Sequence, residues 1–298
     1  MKLNNLRNDF LVFSYASIYW LCNYIFIIKK ILRIINKAKI KRKINNQYNP
    51  VNKRRKENLD IIENYVNQNQ SKEEINLLEI GAGKTLIDPI KRSNIKKINQ
   101  YVLDIENQLS YEEIIKNIKK FRKDKDTSNL TKTNLINFLK ELKIYYLVSK
   151  NLDDLYPMLP KINIFYSINT FEHIPPTDIK NIFKKFKYLS AKNSISLHLV
   201  DFSDHYSSIP GISEWNFYRY KRLIWNYLNP PYFYQNRLRH KDYLTIFNSY
   251  GLKIDQDLTK KFYSQKKINI KSLNKKIIEV YSYKDLKNTA TRFILTNS

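Results

Sequence analysis

A short glycine turn and a carboxylate farther along the chain are the residues whose types and spacing first point to cofactor chemistry. Glu79 precedes Gly81 and Gly83 at the end of the apolar run 75–80, and Asp104 ends the next apolar run. Glycines let a ligand approach the backbone closely, and a carboxylate at the end of a second strand can accept hydrogen bonds from ribose hydroxyls. The pattern predicts a site for a nucleoside-containing cofactor.

Two other nucleotide-binding motifs fit this turn poorly. A P-loop would end in Gly83-Lys84-Thr85, but its first glycine would have to stand where the sequence has Leu78. A dinucleotide fingerprint would need a third glycine at Leu86. The first motif is therefore excluded and the second is disfavoured.

Two histidine and carboxylate pairs follow a later apolar run and are candidates for acid–base chemistry. His205 stands beside Asp204, and His198 lies near Asp201. A carboxylate can orient an imidazole that removes a proton, and we favour His205 as this base. The alternatives are that the acids cap local structure while the histidines pack, or that these residues bind a metal. We predict no metal site, and the single cysteine, Cys22, excludes a multi-cysteine one.

Alternating strand and helix patterns indicate how these residues are positioned. Five apolar runs predict strands, namely Ile75 to Ile80, Tyr101 to Leu103, Ile144 to Val148, Ile162 to Tyr166 and Ile195 to Val200. Helical patterns lie between them, namely Tyr111 to Phe121, Leu135 to Leu142 and Ile179 to Leu189. We predict an α/β fold with a doubly wound, Rossmann-like, mostly parallel seven-stranded sheet that has helices on both faces. Leu252 to Leu258 and Phe293 to Thr296 are its predicted last strands.

Two motifs in register resemble the class I S-adenosylmethionine-dependent methyltransferases. The acid and two glycines at 79–83 resemble the first motif of that family, and 167–175, Ser-Ile-Asn-Thr-Phe-Glu-His-Ile-Pro, resembles its fourth-strand motif. Thr85 stands where many members have a third glycine. The resemblance implies an S-adenosylmethionine site formed by Glu79, Gly81, Ala82, Gly83, Asp104, Ile105, Leu152, Asn169, Thr170 and Glu172. His173 alone is more simply interpreted as a packed histidine.

An aromatic and basic insertion at about 201–239 is the predicted acceptor site. Aromatic faces suit sugar rings, and arginines suit anionic groups. We predict acceptor contacts from Trp215, Tyr218, Asn236, Arg237 and Arg239. The segment resembles bacterial methyltransferases of surface-glycan and nucleotide-sugar pathways, and an aromatic lid that only completes the core is the alternative. Asn229-Pro230-Pro231-Tyr232 matches the catalytic tetrapeptide of adenine and glutamine N-methyltransferases, but no strand precedes it, so a turn is the better interpretation.

The charge and the amino-terminal segment suggest anionic partners. The net charge is +26, and residues 1–57 contain fourteen Lys or Arg and two acids. Nucleic acid, anionic lipid and phosphorylated substrates are all compatible with this sign, as is a compositional bias toward lysine. Phe10 to Ile28 carries no charge and could be a hydrophobic helix that contacts a membrane through residues 10–43, an interfacial helix, or a helix packed on the domain.

These observations predict a hydrophobic helix and basic linker at 1–57 and a methyltransferase domain at 58–298. We expect O-methylation of an anionic sugar, nucleotide sugar or glycolipid in surface-glycan biosynthesis. The expected location is cytoplasmic, with attachment to the inner face of the membrane as an option. The alternatives are an RNA or DNA methyltransferase and a non-catalytic membrane or glycan-binding adaptor.

Overall fold

The computed structural model describes residues 2–24, 50–69, 74–149 and 152–297. The predicted α/β architecture with a mostly parallel central sheet is confirmed, but the described sheet has eight strands instead of seven. In chain order they are β1 (Ile75–Ile80), β2 (Ile98–Asp104), β3 (Ile144–Val148), β4 (Ile162–Ile168), β5 (Ser190–Asp201), β6 (Leu252–Ile254), β7 (Lys260–Tyr263) and β8 (Asn288–Asn297). The additional strand is β7, a short polar segment without the apolar pattern on which the predictions relied.

The strand order β3-β2-β1-β4-β5-β8-β6 places β1 at the centre of the sheet, and β7 also pairs with β8. Strands β1 to β5 are parallel, whereas β8 runs antiparallel to β5, β6 and β7. The chain leaves β1 toward β2 on one side and reaches β4 on the other. Such a switch point opens a crevice beyond the carboxyl ends of the strands, where ligands bind in sheets of this kind.

Helices cover both faces of the sheet. They are α1 (Lys2–Tyr24), α2 (Pro50–Gln68), α3 (Ile87–Arg92), α4 (Tyr111–Phe121), α5 (Leu135–Glu141), α6 (Leu152–Leu155), α7 (Pro176–Leu189), α8 (Arg222–Leu228), α9 (His240–Ser249), α10 (Lys275–Val280) and α11 (Tyr283–Lys287). On one face, Phe183 of α7 and Phe247 of α9 pack with Phe165 of β4. On the other face, Ile62 and Val66 of α2 pack against the inner strands.

Helix α2 runs through the predicted boundary between residues 57 and 58. Its basic residues, which the sequence analysis placed in a linker, contact the domain: Arg55 pairs with Asp88 at 3.2 Å, and the Arg54 guanidinium lies 4.0 Å from the centre of the Phe262 ring. A helix can carry charge on its outer face while its apolar stripe covers the sheet, so the basic run does not mark a linker here.

Helix α1 packs on the protein through one face. Val12, Ala16 and Tyr19 are buried in a cluster with the insertion, and the Tyr19 ring stacks on Phe233 with centroids 4.3 Å apart. Of the alternatives for this segment, the packed helix describes residues 2–24, while Ile25 to Ile28 lie outside the described residues. In the described ranges, no helix is both long enough and apolar enough to cross a bilayer.

Candidate active site

A cavity of about 740 Å³ opens beyond the carboxyl ends of β1, β2 and β4. Six of the predicted cofactor residues line it, namely Gly81, Gly83, Asp104, Ile105, Asn169 and Thr170. They come from three separate turns, so the crevice at the switch point gathers residues that are distant in sequence. A cavity of this size is in the range of small-molecule and cofactor sites.

The glycine turn after β1 requires its glycines for two different reasons. Gly81 has φ +77°, and a Cβ added there would lie 2.6 Å from Thr170 Cγ2, so no side chain fits. Gly83 has φ +70°, and an added Cβ would meet no atom within 4 Å. The backbone at Gly83 is therefore open toward the cavity, which leaves room for a ligand to lie against it.

The turn is held from behind by helix α4. The Asn117 side chain donates to the Thr85 carbonyl at 2.9 Å, and the backbone N–H of Ser110 donates to the Lys84 carbonyl at 2.9 Å. Leu86, which replaces the third glycine of a dinucleotide fingerprint, has φ 44° and is fully buried. The chain thus adopts a left-handed conformation without glycine at this position, at a cost of about 1 kcal/mol.

The position, hydrogen bonding and pKa of Asp104 bear on its predicted role as a hydrogen-bond acceptor. It ends β2 and lines the cavity, and its buried Oδ2 has no hydrogen-bond partner among the described residues. Burial raises the pKa of Asp104 to about 6, while a hydrogen bond with Tyr146 acts in the opposite direction. The Asp104 carboxyl group can accept a hydrogen bond from a ribose hydroxyl in the cavity that it lines, so its position fits the predicted cofactor.

Glu79 lies behind the turn and does not line the cavity. It is 2% exposed and forms an ion pair with Arg92, whose guanidinium also lies 4.5 Å from the centre of the Tyr166 ring. Burial raises the pKa of Glu79 to about 7, against the pull of Arg92. Because Arg92 is already paired with this carboxylate, the contacts of Glu79 indicate that it supports the turn. Ala82 also packs into the protein beside the turn.

Other predicted cofactor residues lie around the opposite side of the cavity. Ile105 lines the cavity and is 65% exposed. An apolar side chain in this position could be covered by a bound ligand. Leu152 begins α6, but its side chain lies outside the described residues. The neighbouring Asp153 lines the cavity and pairs with Lys185.

The turn after β4 approaches the glycine turn closely. Asn169 has φ 48°, a left-handed conformation that asparagine tolerates better than most residues. The Thr170 hydroxyl donates to the Ile168 carbonyl at 3.1 Å. Both residues line the cavity, whereas Glu172 is not among the lining residues and is 2% exposed.

His173 and His205 are brought together beside the cavity. Their ring centroids are 4.6 Å apart, and His173 lines the cavity while His205 lies behind it. Burial lowers the pKa of both histidines, that of His205 to about 3. The structure therefore places His173, instead of the favoured His205, where an acceptor could meet an imidazole.

The two carboxylates predicted to orient histidines have other partners. Asp204 is buried, accepts from the Tyr206 backbone N–H at 2.8 Å and from Asn216 at 3.1 Å, and thereby caps the short 3-10 helix that contains His205. Burial raises its pKa to about 7. Asp201 accepts from the Ser203 backbone N–H at 2.8 Å. The capping alternative therefore describes both acids.

His198 lies inside the protein, away from Asp201. Its Nδ1 is 2.9 Å from the Ser167 hydroxyl, and its ring packs among Phe171, Phe183 and Phe186. Burial lowers its pKa to about 3. A neutral histidine in an aromatic core has no access to an acceptor. Asp201 does not orient this ring, because the side chains at 198 and 201 lie on opposite faces of β5.

The predicted acceptor residues of the insertion are engaged in a second core. Trp215 Nε1 donates to the Leu286 carbonyl at 2.6 Å, and the Tyr218 hydroxyl donates to the Arg237 carbonyl at 2.9 Å. Arg237 donates to the Phe217 and Tyr220 carbonyls, and Arg239 donates to those of Phe202, Asp285, Leu286 and Asn288. These contacts join both arginines to the backbone of neighbouring loops, Arg237 through Nη1 and Arg239 through both Nη atoms.

Two neighbouring residues of the insertion hold the histidine turns. The Gln235 side chain accepts from the His205 backbone N–H at 3.1 Å and donates to the Ser203 carbonyl at 2.6 Å. The Asn236 side chain donates to the Phe171 and Ile174 carbonyls at 2.7 and 2.9 Å. Asn236 was predicted to contact the acceptor, but its contacts indicate that it fixes the turn containing Glu172 and His173.

Helix α7 forms a wall of the cavity that the sequence analysis did not single out. Asp178, Asn181, Ile182 and Lys185 line it, at the i, i+3, i+4 and i+7 spacing of one helix face. Gln108, Ser149 and Pro175 complete this set of unanticipated residues. The helical spacing directly after the fourth-strand motif is the signal that could have found the α7 residues.

The Asn-Pro-Pro-Tyr segment forms the predicted turn. Pro231–Phe233 is a 3-10 helix that follows α8. The Asn229 side chain accepts from the Gln235 backbone N–H at 2.7 Å and donates to the Gln235 carbonyl at 3.0 Å. Asn229 thus closes a loop with both ends of its amide.

No protein-family model matches the chain, and no curated protein matches it in sequence. Solved structures do match its backbone. Magnesium protoporphyrin IX methyltransferase from Synechocystis, with bound S-adenosylhomocysteine, is 10% identical over 92% of this chain and 99% of that chain, with a TM-score of 0.49. An S-adenosylmethionine-dependent methyltransferase from Archaeoglobus fulgidus is 12% identical over 80% of this chain and 94% of that chain, with a TM-score of 0.42.

Phosphoethanolamine N-methyltransferase 2 from Haemonchus contortus, in complex with S-adenosylhomocysteine, is 12% identical over 76% of this chain and 49% of that chain, with a TM-score of 0.44. All three similarities are distant. What these enzymes bind and methylate is a property of those proteins.

Proposed function

We propose that this chain is an S-adenosylmethionine-dependent methyltransferase. The observation that carries the proposal is that Asp104 at the end of β2 and the open backbone at Gly83 line the same cavity. A ligand that has ribose hydroxyls at one end and an amino-acid moiety at the other would satisfy both. S-adenosylmethionine is such a ligand, and it supplies an electrophilic methyl group.

The chain's own residues would then act mainly by alignment. Asp104 would hold the ribose, Gly83 would let the methionine moiety lie against the backbone, and Ile105 would cover an apolar surface of the cofactor. A direct displacement needs the acceptor in line with the methyl group, and such positioning can account for most of a rate acceleration. His173 lines the same cavity, so its imidazole lies beside the space where an acceptor would bind.

We propose a hydroxyl-bearing acceptor, such as a sugar, a nucleotide sugar or a glycolipid. The α7 wall supports this choice, because Asp178, Asn181 and Lys185 offer a carboxylate, an amide and an ammonium group to a polar ring. Lys185 is the lysine among the lining residues and pairs with Asp153, so an anionic substituent would have to share the Lys185 ammonium group with that carboxylate. Arg237 and Arg239 give no support to an anionic acceptor, since neither is among the residues that line the cavity and both donate to backbone carbonyls.

The proposal also includes contact with an anionic membrane surface. An apolar stripe of α1, with Leu6 and Phe10 68% and 72% exposed, continues through the stacked Phe13 and Tyr227 rings to Leu223 of α8, which is 84% exposed. Arg7, Lys221 and Arg222 flank this α1/α8 face, and the basic run 29–43 follows it in sequence. Apolar side chains beside cations suit the interface of an anionic bilayer.

A transfer assay with methyl-labelled S-adenosylmethionine tests the function. The acceptors are extracted surface glycans, nucleotide sugars and total RNA, and the proteins are wild type, Asp104→Ala and the exposed control Asp257→Ala. We expect transfer to a glycan or nucleotide sugar that Asp104→Ala abolishes and Asp257→Ala preserves.

Other outcomes would select the alternatives. Transfer to RNA alone would identify a nucleic-acid methyltransferase, for which the +26 charge is the supporting observation. Folded protein that binds no S-adenosylmethionine in calorimetry would overturn the enzymatic proposal and favour the adaptor.

A further inference from the structure

Three metal-ligating side chains converge at the His173 wall of the cavity. Glu172 and His173 lie in the 3-10 helix after β4, and His205 lies in the 3-10 helix after β5. One carboxylate oxygen and one ring nitrogen from each histidine all lie within 4.8 Å of one another. Two imidazoles and one carboxylate form a ligand set found in catalytic zinc sites, where an exchangeable ligand occupies the remaining position.

The Glu172 carboxyl supplies an independent indication of a ligand. Its side chain is 2% exposed, and its buried Oε2 has no hydrogen-bond partner in the part of the chain that the structure describes. A buried, unsatisfied carboxylate oxygen is costly, and native proteins usually satisfy such an atom with a donor or a cation. A cation between Glu172 and the two histidines would satisfy it.

The orientation of His173 also suits a metal ligand. Its Nδ1 lies 3.1 Å from the Tyr234 carbonyl oxygen. Because a carbonyl oxygen only accepts, Nδ1 carries the proton and Nε2 keeps its lone pair. Metal-bound histidines commonly donate their other N–H in this way, which fixes the ring and its tautomer.

Both turns that carry the ligands are fixed by one short segment. Gln235 binds the backbone at His205, and Asn236 binds the backbone on both sides of Glu172 and His173. The backbone that carries the three ligands is therefore held in place before any ion binds. Small side-chain rotations would bring the ligand atoms to the separation of roughly 3.4 Å that a tetrahedral site requires.

We propose that Glu172, His173 and His205 bind one divalent transition-metal ion, of which Zn²⁺ is the representative, with an open position toward the cavity. Two nitrogen donors and one oxygen donor favour such an ion over Mg²⁺, which takes oxygen ligands. The role of the ion rests on the proposed methyl transfer. It would bind the acceptor hydroxyl and lower the pKa of that hydroxyl.

The chemical step balances without any further reagent. The acceptor O–H gives its proton to water, and the acceptor oxygen forms a bond to the methyl carbon. The bond between sulfur and the methyl carbon breaks at the same time, and its electron pair stays on sulfur. The cofactor leaves as the neutral thioether S-adenosylhomocysteine.

Titration of the full chain, stripped with EDTA and dialysed, with ZnCl₂ and with CoCl₂ tests the site without requiring activity. We expect one ion per chain in calorimetry and visible absorption of four-coordinate Co²⁺. Glu172→Gln and His205→Ala should weaken binding roughly 100-fold or more, since even supporting residues of such sites contribute 10- to 100-fold. Asp178→Asn, a cavity carboxylate outside the cluster, should bind as wild type does.

Wild type that binds no ion would overturn the proposal, as would binding that survives both Glu172→Gln and His205→Ala. Circular dichroism and S-adenosylmethionine affinity identify a variant that fails to fold, in which case His173→Gln replaces it. Metal binding without S-adenosylmethionine binding would refute the methyltransferase and leave the site intact. Methyl transfer that continues in EDTA, by protein that takes up no ion, would refute only the site.

Discussion

At the scale of single residues, the site depends on positions where a backbone conformation or a buried charge permits few alternatives. Gly81 stands where Thr170 approaches the turn, and Gly83 stands where the turn is open. Asp104 holds a buried carboxyl group at the end of β2. Each of these constraints leads to a measurable difference between closely related variants.

Gly81→Ala should destabilise the protein much more than Gly83→Ala. Both residues have positive φ, so an alanine costs about 1 kcal/mol at either position. At Gly81 the new Cβ would also lie 2.6 Å from Thr170 Cγ2, which raises the total cost to about 3 kcal/mol. Urea unfolding measures both free energies, and a Thr170→Ala background should reduce the difference between them. Equal costs at the two positions would contradict this geometry.

Cofactor affinity should depend on the ionisation of Asp104. Its folded pKa of about 6 lies above the ordinary value, so the ligand-free protein loses stability as the pH rises to about 6, and S-adenosylmethionine needs the ionised form. We expect a constant Kd above about pH 7 and weaker binding as the pH falls through 6, measured by calorimetry.

Asp104→Asn is the matched variant for this dependence. It should bind more weakly at every pH and show no change near pH 6, while its ligand-free form should be more stable than wild type by about 2 to 3 kcal/mol above pH 7. The pH dependence would belong to another group if the variant retained it.

At the scale of elements, the insertion and α1 form one structural unit. Asp9 of α1 accepts from the Tyr220 hydroxyl at 2.7 Å and pairs with Arg219 at 2.9 Å. Tyr19 stacks on Phe233, whose ring centroid lies 5.7 Å from that of His205. The amino-terminal helix is thus connected to the histidine turns through two aromatic contacts.

Tyr19→Ala should destabilise the whole domain by about 3 kcal/mol, because it removes a buried aromatic ring from the second core. Leu21→Ala on the same helix is the control, since Leu21 is 46% exposed and should change the stability by less than about 0.5 kcal/mol. Thermal unfolding followed by circular dichroism measures both. An unchanged melting temperature for Tyr19→Ala would show that α1 does not stabilise the domain.

At the scale of the whole molecule, charge and apolar exposure combine on one surface. The α1/α8 face places exposed Leu6, Phe10 and Leu223 beside basic side chains, within a chain of net charge +26. An anionic bilayer offers an apolar interior beside negatively charged head groups, which is why we propose it as the partner of this face.

Leu223→Glu should weaken binding to vesicles that contain anionic lipid by roughly 10- to 100-fold. This factor corresponds to the free energy of transferring one leucine side chain from an apolar environment to water. Met158→Glu is the matched control, because Met158 is 78% exposed but lies between β3 and β4, outside the α1/α8 face. Flotation of both variants with vesicles at low and high salt separates the apolar from the electrostatic contribution to binding. High salt should weaken the vesicle binding of the wild-type protein. Equal flotation of the two variants would exclude this face as the contact surface.

The sequence by itself determined the central strands, the glycine turn and the position of Asp104. These features depend on local patterns: an apolar run predicts a buried strand, and a glycine or acid at its end falls at the carboxyl edge of the sheet. Strand β7 was not predicted for the same reason. It is short and has no apolar run, and it is a strand because it pairs with β8.

Only the tertiary structure decided which polar side chains remain available. Arg239 resembled an acceptor contact in the sequence, but its donors meet backbone carbonyls from residues 202 and 285–288. Glu172 and His205 are separated by a strand and a helix in sequence, yet lie side by side. Hydrogen-bond partners of this kind come from distant parts of the chain, so no local pattern carries information about them. The role of a long polar side chain is therefore fixed by the fold that surrounds it.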